Sequence, residues 1–318
     1  MSSTVLSVEG LTLTVGGKAL VEDVSFHLAA GEMMGLVGES GCGKSLTALA
    51  TIRLLPSPPV EIAAGRIVID GADVRALDSE GLRRLRGDRV GMIFQEPMTS
   101  LNPVFTVGDQ IAEVLEIHRG LGRSAALARA AELIALVGLP APREQLERYP
   151  HQLSGGQRQR VMIAIALACE PRVLIADEPT TALDVTVQAQ ILALIDRLRR
   201  DMGMACLLIT HDLGVVSDVC DRAAVMYAGR IVEEASVAEL FARPRHRYTQ
   251  ALIDTMPASN PPGALLPSIR GMVPPPGARG DGCAFAPRCA APVEACRKVL
   301  PPLTGEAGHR AACWNPAS

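Results

Sequence analysis

One stretch of the sequence combines glycines, a lysine and a serine in an order that could grip a phosphate chain. Residues 38–45 read GESGCGKS and fit the pattern G-x-x-x-x-G-K-[ST] of phosphate-binding loops. Backbone N–H groups of such a loop can close around phosphate oxygens, with Lys44 reaching the β and γ phosphates and Ser45 binding Mg²⁺. A glycine-rich turn matched by chance is the alternative. The predicted phosphate contacts are Gly38, Ser40, Gly41, Cys42, Gly43, Lys44 and Ser45.

Two adjacent carboxylates follow a short apolar stretch, VLIA at 173–176. Successive side chains of a strand point to opposite faces, so Asp177 and Glu178 can do different jobs near a strand end. Asp177 suits the ligand shell of Mg²⁺, whereas Glu178 could orient or deprotonate an attacking water. A solvated acidic turn is the alternative, and the phosphate loop in the same chain disfavours it.

A third stretch, LSGGQ at 153–157, precedes an apolar helix predicted from Val161 to Cys169. Ser154 is a good helix cap, and the two glycines after it would leave the backbone open to an anion. By itself this stretch also fits an ordinary capped helix.

The elements that would position these residues alternate between strands and helices. The first thirty residues alternate apolar and polar positions, which predicts antiparallel strands. After them, alternating strands and helices predict a mostly parallel sheet, interrupted at about 99–169 by a helical subdomain. The predicted strands are 33–37, 90–94, 173–176 and 206–210, with a hairpin turning at Ala228-Gly229. The predicted helices are 44–55, 107–117, 124–137, 185–202, 237–242 and 248–255.

Composition excludes several classes of protein. Of 318 residues, 48% are hydrophobic and 20% are charged, which excludes intrinsic disorder as the general state. No apolar run reaches the length of a membrane span and no signal peptide is recognised, so we expect a cytoplasmic chain. A net charge of −3 supplies no large positive field, so we expect no nucleic-acid partner.

The order of these motifs resembles that of the nucleotide-binding subunits of ATP-binding cassette (ABC) transporters. The resemblance covers roughly residues 5–255 and rests on the phosphate loop, Gln95 after a strand, the 153–157 signature, Asp177-Glu178, Ala182-Leu183-Asp184 and His211. It implies an α/β fold, a P-loop NTPase ABC cassette with a RecA-like, mostly parallel sheet, an antiparallel β subdomain and a helical subdomain. The expected domains are a nucleotide-binding domain at 1–255, which includes the helical subdomain at about 99–169, and a small Cys-rich extension at 256–318.

The resemblance also implies how the site is assembled. Two subunits would pair head to tail and enclose two ATP molecules, each between the phosphate loop of one subunit and the signature of the other. The signature residues that would act across the dimer are Ser154, Gly155, Gly156 and Gln157. Glu178 and His211 would be the catalytic residues, and Asp184 would signal across the dimer. Mg²⁺ would be bound through Ser45, Gln95 and Asp177.

The partners of such a subunit follow from the same resemblance. We expect a second ATPase subunit, either a paralogue or an identical copy, two transmembrane permease subunits and an extracytoplasmic solute-binding protein. The segment from Gln95 to Pro103 would couple the nucleotide to the membrane partner, although a proline-bounded loop explains it equally well. The subunit would lie on the cytoplasmic face of the inner membrane as a peripheral protein.

The end of the chain limits the classes of solute that such a transporter is expected to carry. Residues 256–282 hold seven prolines and five glycines, which predicts a linker without regular structure. The tail beyond Leu266 resembles the extension of dipeptide and oligopeptide importer ATPases, and residues 244–249 resemble their His-Pro-Tyr-Thr element with Arg247 in place of the proline. Nickel, opine, sugar or glutathione-like cargo are alternatives, and a soluble ABC ATPase acting on ribosomes or DNA is a rival. A scaffold that binds nucleotide without hydrolysing it is opposed by the presence of Glu178 and His211.

The tail also contains four of the eight cysteines, Cys283, Cys289, Cys296 and Cys313. Thiolates at irregular spacing are compatible with an iron–sulfur cluster, and the resemblance favours a [4Fe–4S] cluster. Zinc is an alternative, although the usual C-x₂-C spacing is absent, and plain reduced or disulfide-bonded cysteines are another.

Two positions depart from what the family or the motif would suggest. The family usually stacks adenine on an aromatic residue where this chain has Val15, which predicts weaker base binding. Cys42 within the phosphate loop could be a reactive thiol, because a helix N-terminus lowers a thiol pKa, or a small filler residue.

Overall fold

The computed structural model describes residues 3–96, 100–261, 263, 265–306 and 308–317, and the chain divides into two compact units. The first unit contains residues up to Leu6, residues 28–32 and residues 69–207. The second unit contains residues 7–27, residues 33–68 and the chain from Leu208 onward. The predicted domain boundary between residues 255 and 256 stays a prediction.

The described strands include the predicted ones, together with four that the sequence does not predict, at Val60–Ile69, Ala72–Asp73, Thr304–Glu306 and His309–Ala311. In chain order, the described strands are β1 Thr4–Val15, β2 Lys18–Ala29, β3 Met33–Val37, β4 Val60–Ile69, β5 Ala72–Asp73, β6 Val90–Ile93, β7 Val173–Asp177, β8 Ala205–Thr210, β9 Arg222–Tyr227, β10 Arg230–Ser236, β11 Thr304–Glu306 and β12 His309–Ala311. The described α-helices are α1 Lys44–Thr51, α2 Ser79–Arg84, α3 Val107–Arg119, α4 Arg123–Leu136, α5 Pro142–Leu146, α6 Gly155–Ala166, α7 Val185–Met202, α8 Leu213–Val219, α9 Val237–Ala242, α10 Arg247–Asp254 and α11 Glu294–Lys298.

A mixed sheet forms the centre of the second unit, with the order β11-β12-β10-β9-β3. Strand β3 is buried along its whole length and runs parallel to β9, so that Val37 pairs with Val225. β9 and β10 form the predicted hairpin, and both turn residues, Ala228 at φ +46° and Gly229 at φ +80°, take the left-handed conformation that a two-residue hairpin turn requires. Strand β3, which leads into the phosphate loop, is thus held on one side by a tightly turned hairpin.

Helices dominate the first unit. Its strands β6 and β7 are parallel and pair Val90 with Val173. Among the described residues from 100 to 169 the chain forms α3 to α6 and a single 3-10 turn, as the helical periodicity predicts. The predicted start of the helical subdomain, at Thr99, lies outside the described residues. Helix α3 ends at Arg119 because Gly120, at φ +65°, supplies the left-handed residue that closes a helix.

Helix α1, which follows the phosphate loop, is shorter than predicted. It ends at Thr51 and not at Leu55. Arg53 takes a left-handed conformation with φ +50°, and the Leu54 N–H reaches back to the Leu49 carbonyl at 2.8 Å, which closes the last turn.

The C-terminal tail adds two strands that the sequence does not reveal. Strand β12 pairs antiparallel with β10, so that Ala235 lies opposite His309, and β11 pairs with β12. The predicted linker contains a short 3-10 turn at Pro257–Ser259 and no further helix or strand among its described residues up to Gly282. Within the part of the chain that the structure describes, no helix combines the length and apolar character that crossing a membrane requires.

Candidate functional site

The phosphate loop lies between β3 and α1 and depends on glycine at two positions. A side chain at Gly38 would place its Cβ 2.2 Å from the carbonyl oxygen of Met226 on β9, so only glycine fits there. Gly43 caps α1 with φ +104°, a conformation that residues with a side chain rarely adopt. The loop therefore passes close to β9 and turns sharply into the helix.

Lys44 is buried within this loop. Its side chain donates hydrogen bonds from Nζ to the carbonyl oxygens of Gly38 at 2.6 Å and Glu39 at 3.1 Å, and only 5% of the residue is exposed. Ser45 follows it in the first turn of α1, where the positive end of the helix dipole lies. Ser40 and Gly41 are exposed at the tip of the loop. This arrangement presents a lysine, a hydroxyl and a helix N-terminus at one place, as phosphate binding requires.

Cys42 belongs to the packing of the loop and not to its reactive surface. The residue is 1% exposed, and burial raises the pKa of its thiol despite the neighbouring Lys44 ammonium. The hypothesis of a reactive thiol with a lowered pKa is therefore wrong, because the loss of solvation outweighs the nearby positive charge. Val15, at the end of β1, is half-buried and precedes the Gly16-Gly17 turn.

Glu39, the second residue of the loop, is held by the C-terminal part of the chain. Its N–H donates to the Tyr248 hydroxyl at 2.9 Å. Its carboxylate accepts two hydrogen bonds from the Arg288 guanidinium, at 2.6 and 2.9 Å. Burial raises the pKa of Tyr248, so this hydroxyl stays protonated, and hydrogen bonding to Glu39 raises the pKa of Arg288, which stays charged. Sequence reasoning missed these contacts, although it assigned residues 244–249 and the tail beyond Leu266 to the extension that resembles those of peptide-importer ATPases.

The carboxylate pair lies in the first unit at the end of β7. Asp177 is 4% exposed, whereas Glu178 is half-buried and has φ +45°. A left-handed conformation in a glutamate stores strain, which in proteins concentrates at functional sites. The Glu178 carboxylate accepts a hydrogen bond at Oε2 from the Gln95 side-chain amide at 3.3 Å and another from the Thr181 hydroxyl at 3.0 Å. The structure thus brings together the predicted catalytic residue Glu178 and the predicted Mg²⁺ ligand Gln95, which are 83 positions apart.

The signature stretch forms the start of α6, also in the first unit. Ser154 caps the helix, with its hydroxyl accepting from the Gln157 N–H at 3.3 Å, while the Gln157 side chain accepts from the Ser154 N–H at 2.9 Å. The predicted cap is confirmed, but the helix begins at Gly155 and not at Val161, so the glycines form its first turn. Gly156 cannot carry a side chain without displacing Val187, whose Cγ1 lies 2.9 Å from the ideal Cβ position.

Two further predicted residues lie at helix and strand ends. Asp184 is exposed and caps α7 by accepting from the Val187 N–H at 2.9 Å. His211 is exposed directly after β8, in the second unit. Gln95, Asp177, Glu178 and the signature belong to the first unit, whereas the phosphate loop and His211 belong to the second. Beyond Glu96, the predicted coupling segment includes Pro97, Met98 and Thr99, which lie outside the described residues.

A cluster of aromatic rings, which we call the aromatic cluster, consists of Tyr227, His246, Tyr248 and Phe285 in the second unit. Phe285 is 2% exposed, and its ring lies edge-on to Tyr227 and tilted against Tyr248, with both centroid distances at 5.3 Å. His246 caps α10 through Nδ1, and burial lowers its pKa to about 4. Arg247, which stands where the related element has proline, donates instead to the Asn315 carbonyl oxygen at 3.0 Å. The tail therefore packs against β9 and α10 of the second unit.

The tail cysteines were expected to bind a metal centre. All four are free thiols, and Cys296 is buried while the others are half-buried. Burial, together with electrostatic repulsion by Cys296 and Cys313, raises the pKa of Cys283 to about 11. Within the described ranges, no three His, Cys, Asp or Glu side chains converge so that they could hold one metal ion. The same absence applies to a zinc ion and to an iron–sulfur cluster, because each needs several thiolates around one centre, so both stay predictions.

Comparisons with known proteins place this geometry in a family context. Residues 21–181 match the ABC transporter family, and residues 232–296 match the C-terminal region of oligopeptide/dipeptide transporters. The chain is 52% identical to the probable peptide ABC transporter ATP-binding protein y4tR of Sinorhizobium fredii, over 96% of this chain and 90% of that protein. It is 48% identical to the oligopeptide transport ATP-binding protein AppD of Bacillus subtilis, over 92% and 90% respectively. Among solved structures, it resembles the ATP-binding cassette MJ0796, a dimer in a post-hydrolysis state bound to ADP and Pi, with a TM-score of 0.65, 28% identity, and coverage of 73% of this chain and 98% of that one.

Proposed function

The chain belongs to the ATP-binding proteins of the ABC transporter family and has their cassette fold, and we propose that it hydrolyses ATP to energise the uptake of dipeptides or oligopeptides. The observation that carries the hydrolytic part is the Glu178 carboxylate, positioned by Gln95 and Thr181 at the end of a buried strand next to Asp177. The match of residues 232–296 to the C-terminal region of oligopeptide/dipeptide transporters supports the cargo class.

Different residues of this chain are proposed to bind the phosphates, activate the water and bind Mg²⁺. Lys44 and the backbone of the phosphate loop bind the β and γ phosphates. Glu178 takes the proton of the attacking water, and Gln95 orients it. Ser45, Gln95 and Asp177 each carry an oxygen donor of the kind that Mg²⁺ prefers, and they would bind an Mg²⁺ ion that would neutralise charge on the phosphates. His211 is proposed to hold the γ-phosphate.

Hydrolysis is proposed to require two such subunits. Ser154 and Gly156 at the exposed start of α6 would bind the γ-phosphate held by the partner subunit's phosphate loop, and Asp184 would report occupancy across the dimer. ATP favours the closed pair because its phosphates contact both subunits, and loss of the γ-phosphate removes that differential affinity. The second subunit is an identical copy or a paralogue.

The assembly proposed around this pair consists of two permease subunits and an extracytoplasmic solute-binding protein. The chain would lie on the cytoplasmic face of the inner membrane as a peripheral protein. A homologous importer for nickel, opines, sugars or glutathione-like solutes is the alternative, and a soluble ABC ATPase that acts on ribosomes or DNA is the rival.

Uptake of labelled peptides into proteoliposomes tests the proposal. The vesicles contain this chain together with its cognate permeases and solute-binding protein, and ATP is supplied on the face of the membrane to which this chain is bound. Glu178→Gln should still bind ATP and trap the closed pair, and it should lower hydrolysis and uptake by about 10² or more, the contribution of a general base. Glu61→Gln, an exposed carboxylate on β4, is the matched control and should change neither.

The outcomes separate the alternatives. Normal turnover by the Glu178→Gln protein would contradict the assignment of the general base. Uptake of another solute in preference to peptides would replace the cargo and retain the ATPase. Co-purification with ribosomes or DNA in place of two polytopic membrane proteins would refute transport.

We further propose that Cys283, Cys289, Cys296 and Cys313 bind a [4Fe–4S] cluster. Support comes from four free thiols, of which Cys283 and Cys313 are each repelled by neighbours of the same set. When bound, such a group would tie the tail together through four thiolates. Anaerobic purification followed by iron, sulfide and zinc analysis and an absorption spectrum should give about four irons per chain. A colourless, iron-free protein would refute it.

A further inference from the structure

The phosphate loop contains a carboxylate that its expected ligand would repel. Glu39 follows the first glycine of the loop, and an unpaired negative charge at that position would oppose a triphosphate. The Glu39 carbonyl oxygen accepts from the Lys44 ammonium at 3.1 Å, so this residue directly contacts the phosphate-binding lysine. Whatever holds Glu39 therefore influences both the charge and the shape of the loop.

Arg288 binds the Glu39 carboxylate through an ion pair with two parallel hydrogen bonds. Its Nη1 donates to Oε2 at 2.6 Å and its Nη2 donates to Oε1 at 2.9 Å, so the pair is bidentate. Only 5% of the Arg288 side chain is exposed, whereas the Glu39 side chain retains 30% exposure. Charge-assisted bidentate bonds shielded from water are roughly twice as strong as neutral ones.

The remaining bonds of Arg288 fix the guanidinium in place. Nε donates to the Arg270 carbonyl oxygen at 2.8 Å, and Nη1 also donates to the Tyr227 hydroxyl at 3.2 Å. The guanidinium carbon lies 5.7 Å from the centre of the Tyr227 ring and 5.9 Å from that of Phe285, within the range of cation–π attraction. Arg288 is thus fixed by partners from the linker, the sheet and the tail, independently of its contact with the phosphate loop.

We propose that Arg288 is a positioning residue for nucleotide binding, which neutralises the Glu39 carboxylate and holds it so that the phosphate loop accepts a triphosphate without repulsion. Arg288 acts through Glu39 and not on the nucleotide itself. The C-terminal extension is by this route part of the nucleotide site of its own subunit. The inference rests on nucleotide binding by the phosphate loop and is independent of the transported solute.

Equilibrium binding of ATP and ADP to the purified full-length protein tests the inference. Arg288→Met keeps the aliphatic part of the side chain but leaves Glu39 charged and unpaired, and it should weaken ATP affinity by about 10- to 100-fold, the range for losing hydrogen bonds between charged groups. ADP affinity should fall less, because ADP has one negative charge fewer. Raising the salt concentration should shrink the loss, because screening weakens the repulsion. Arg297→Met, an exposed arginine of the same extension, is the matched control and should bind ATP like the wild type.

The double variant Arg288→Met/Glu39→Gln separates charge compensation from simple docking of the tail. Removing the unpaired carboxylate should restore ATP affinity to within about threefold of the wild type, a residual of less than 1 kcal/mol. A double variant as weak as Arg288→Met alone would overturn the proposal, because an anchor lost from the tail is not replaced by an amide at position 39. Unchanged ATP affinity in Arg288→Met would also overturn it.

If the Arg288→Met protein does not fold, a more conservative substitution at the same position tests the proposal. Arg288→Lys retains the charge but not the paired hydrogen bonds, and it should weaken ATP affinity by about 3- to 10-fold, again with recovery on adding Glu39→Gln. Equal affinity of Arg288→Lys and Arg288→Lys/Glu39→Gln, both below the wild type, would refute charge compensation. A wild-type protein that bound no ATP would instead refute the proposed function.

Discussion

Replacing Phe285 with alanine should loosen the packing of the tail against β9 and α10. The ring is 2% exposed and lies 5.3 Å from both the Tyr227 and Tyr248 rings and 6.0 Å from His246, measured between centroids. Truncating a buried phenylalanine costs about 3–5 kcal/mol, which combines lost burial with the cavity left behind. Because the guanidinium of Arg288 also packs on this ring, we expect the effect to reach the segment around Arg288.

Hydrogen exchange of backbone amides measures this loss locally. The Cys283, Ala286 and Arg288 N–H groups donate to the carbonyl oxygens of Cys296, Cys283 and Phe285 at 2.8, 2.9 and 2.9 Å, so they exchange only when this region opens. A loss of about 3 kcal/mol raises the opening equilibrium by about 10², because 1.4 kcal/mol is a factor of ten. The Phe285→Ala protein should therefore exchange these amides about 100-fold faster than the wild type.

Two variants control this measurement. Phe285→Leu keeps most of the apolar volume and loses mainly the ring contacts, so it should accelerate exchange by about tenfold or less. Met272→Ala changes an apolar residue of the same tail that is 88% exposed and should have almost no effect. If Phe285→Ala exchanged no faster than Met272→Ala, the tail would not be held by the aromatic cluster and the reasoning would be refuted.

Gly38→Ala should weaken ATP binding more than tenfold and lower the free energy of unfolding by about 1–3 kcal/mol, because the new methyl group would lie 2.2 Å from the Met226 carbonyl oxygen. ATP titration and urea unfolding measure both effects against Gly280→Ala, whose methyl group meets nothing within 4 Å, and equal behaviour of the two would contradict the steric argument. Burial lowers the pKa of His246 to about 4, below the value of about 6.5 for an unfolded histidine, so protonation favours the unfolded chain. The free energy of unfolding should therefore fall as the pH decreases from about 6.5 towards 4, by up to about 1.4 kcal/mol per pH unit. His246→Asn keeps a helix-capping acceptor and should flatten this slope in urea unfolding between pH 7.5 and 5, whereas an unchanged slope would assign the pH dependence to other groups.

Local patterns predict the elements of this fold closely. Helix α7 has the predicted bounds, 185–202, and so does α9, 237–242. The Ala228-Gly229 turn and the Ser154 cap also lie where the sequence places them. Each of these features depends on residues within a few positions of one another, through hydrophobic periodicity, capping or turn geometry.

Some errors are local, such as the end of α1 and the start of α6, and others arise where one segment depends on a distant one. Strand β12 is too short to be recognised by alternation, and it forms only because β10 offers a free edge about 75 residues earlier. The burial of Cys42, which favours the predicted small filler residue over a reactive thiol, is a property of the packed loop. The same applies to His246, whose pKa depends on the rings that cover it.

The sequence by itself determined the chemistry of this protein. The glycines, lysine and serine of 38–45, the carboxylates after β7 and the capped glycine turn of α6 are short-range patterns, and their order along the chain identifies the family. Only the tertiary structure decided which charged side chains form ion pairs and which aromatic rings pack together. Arg288 and Glu39 are 249 positions apart, and neither residue type nor local spacing reveals a pair that forms only when the tail folds back onto the loop.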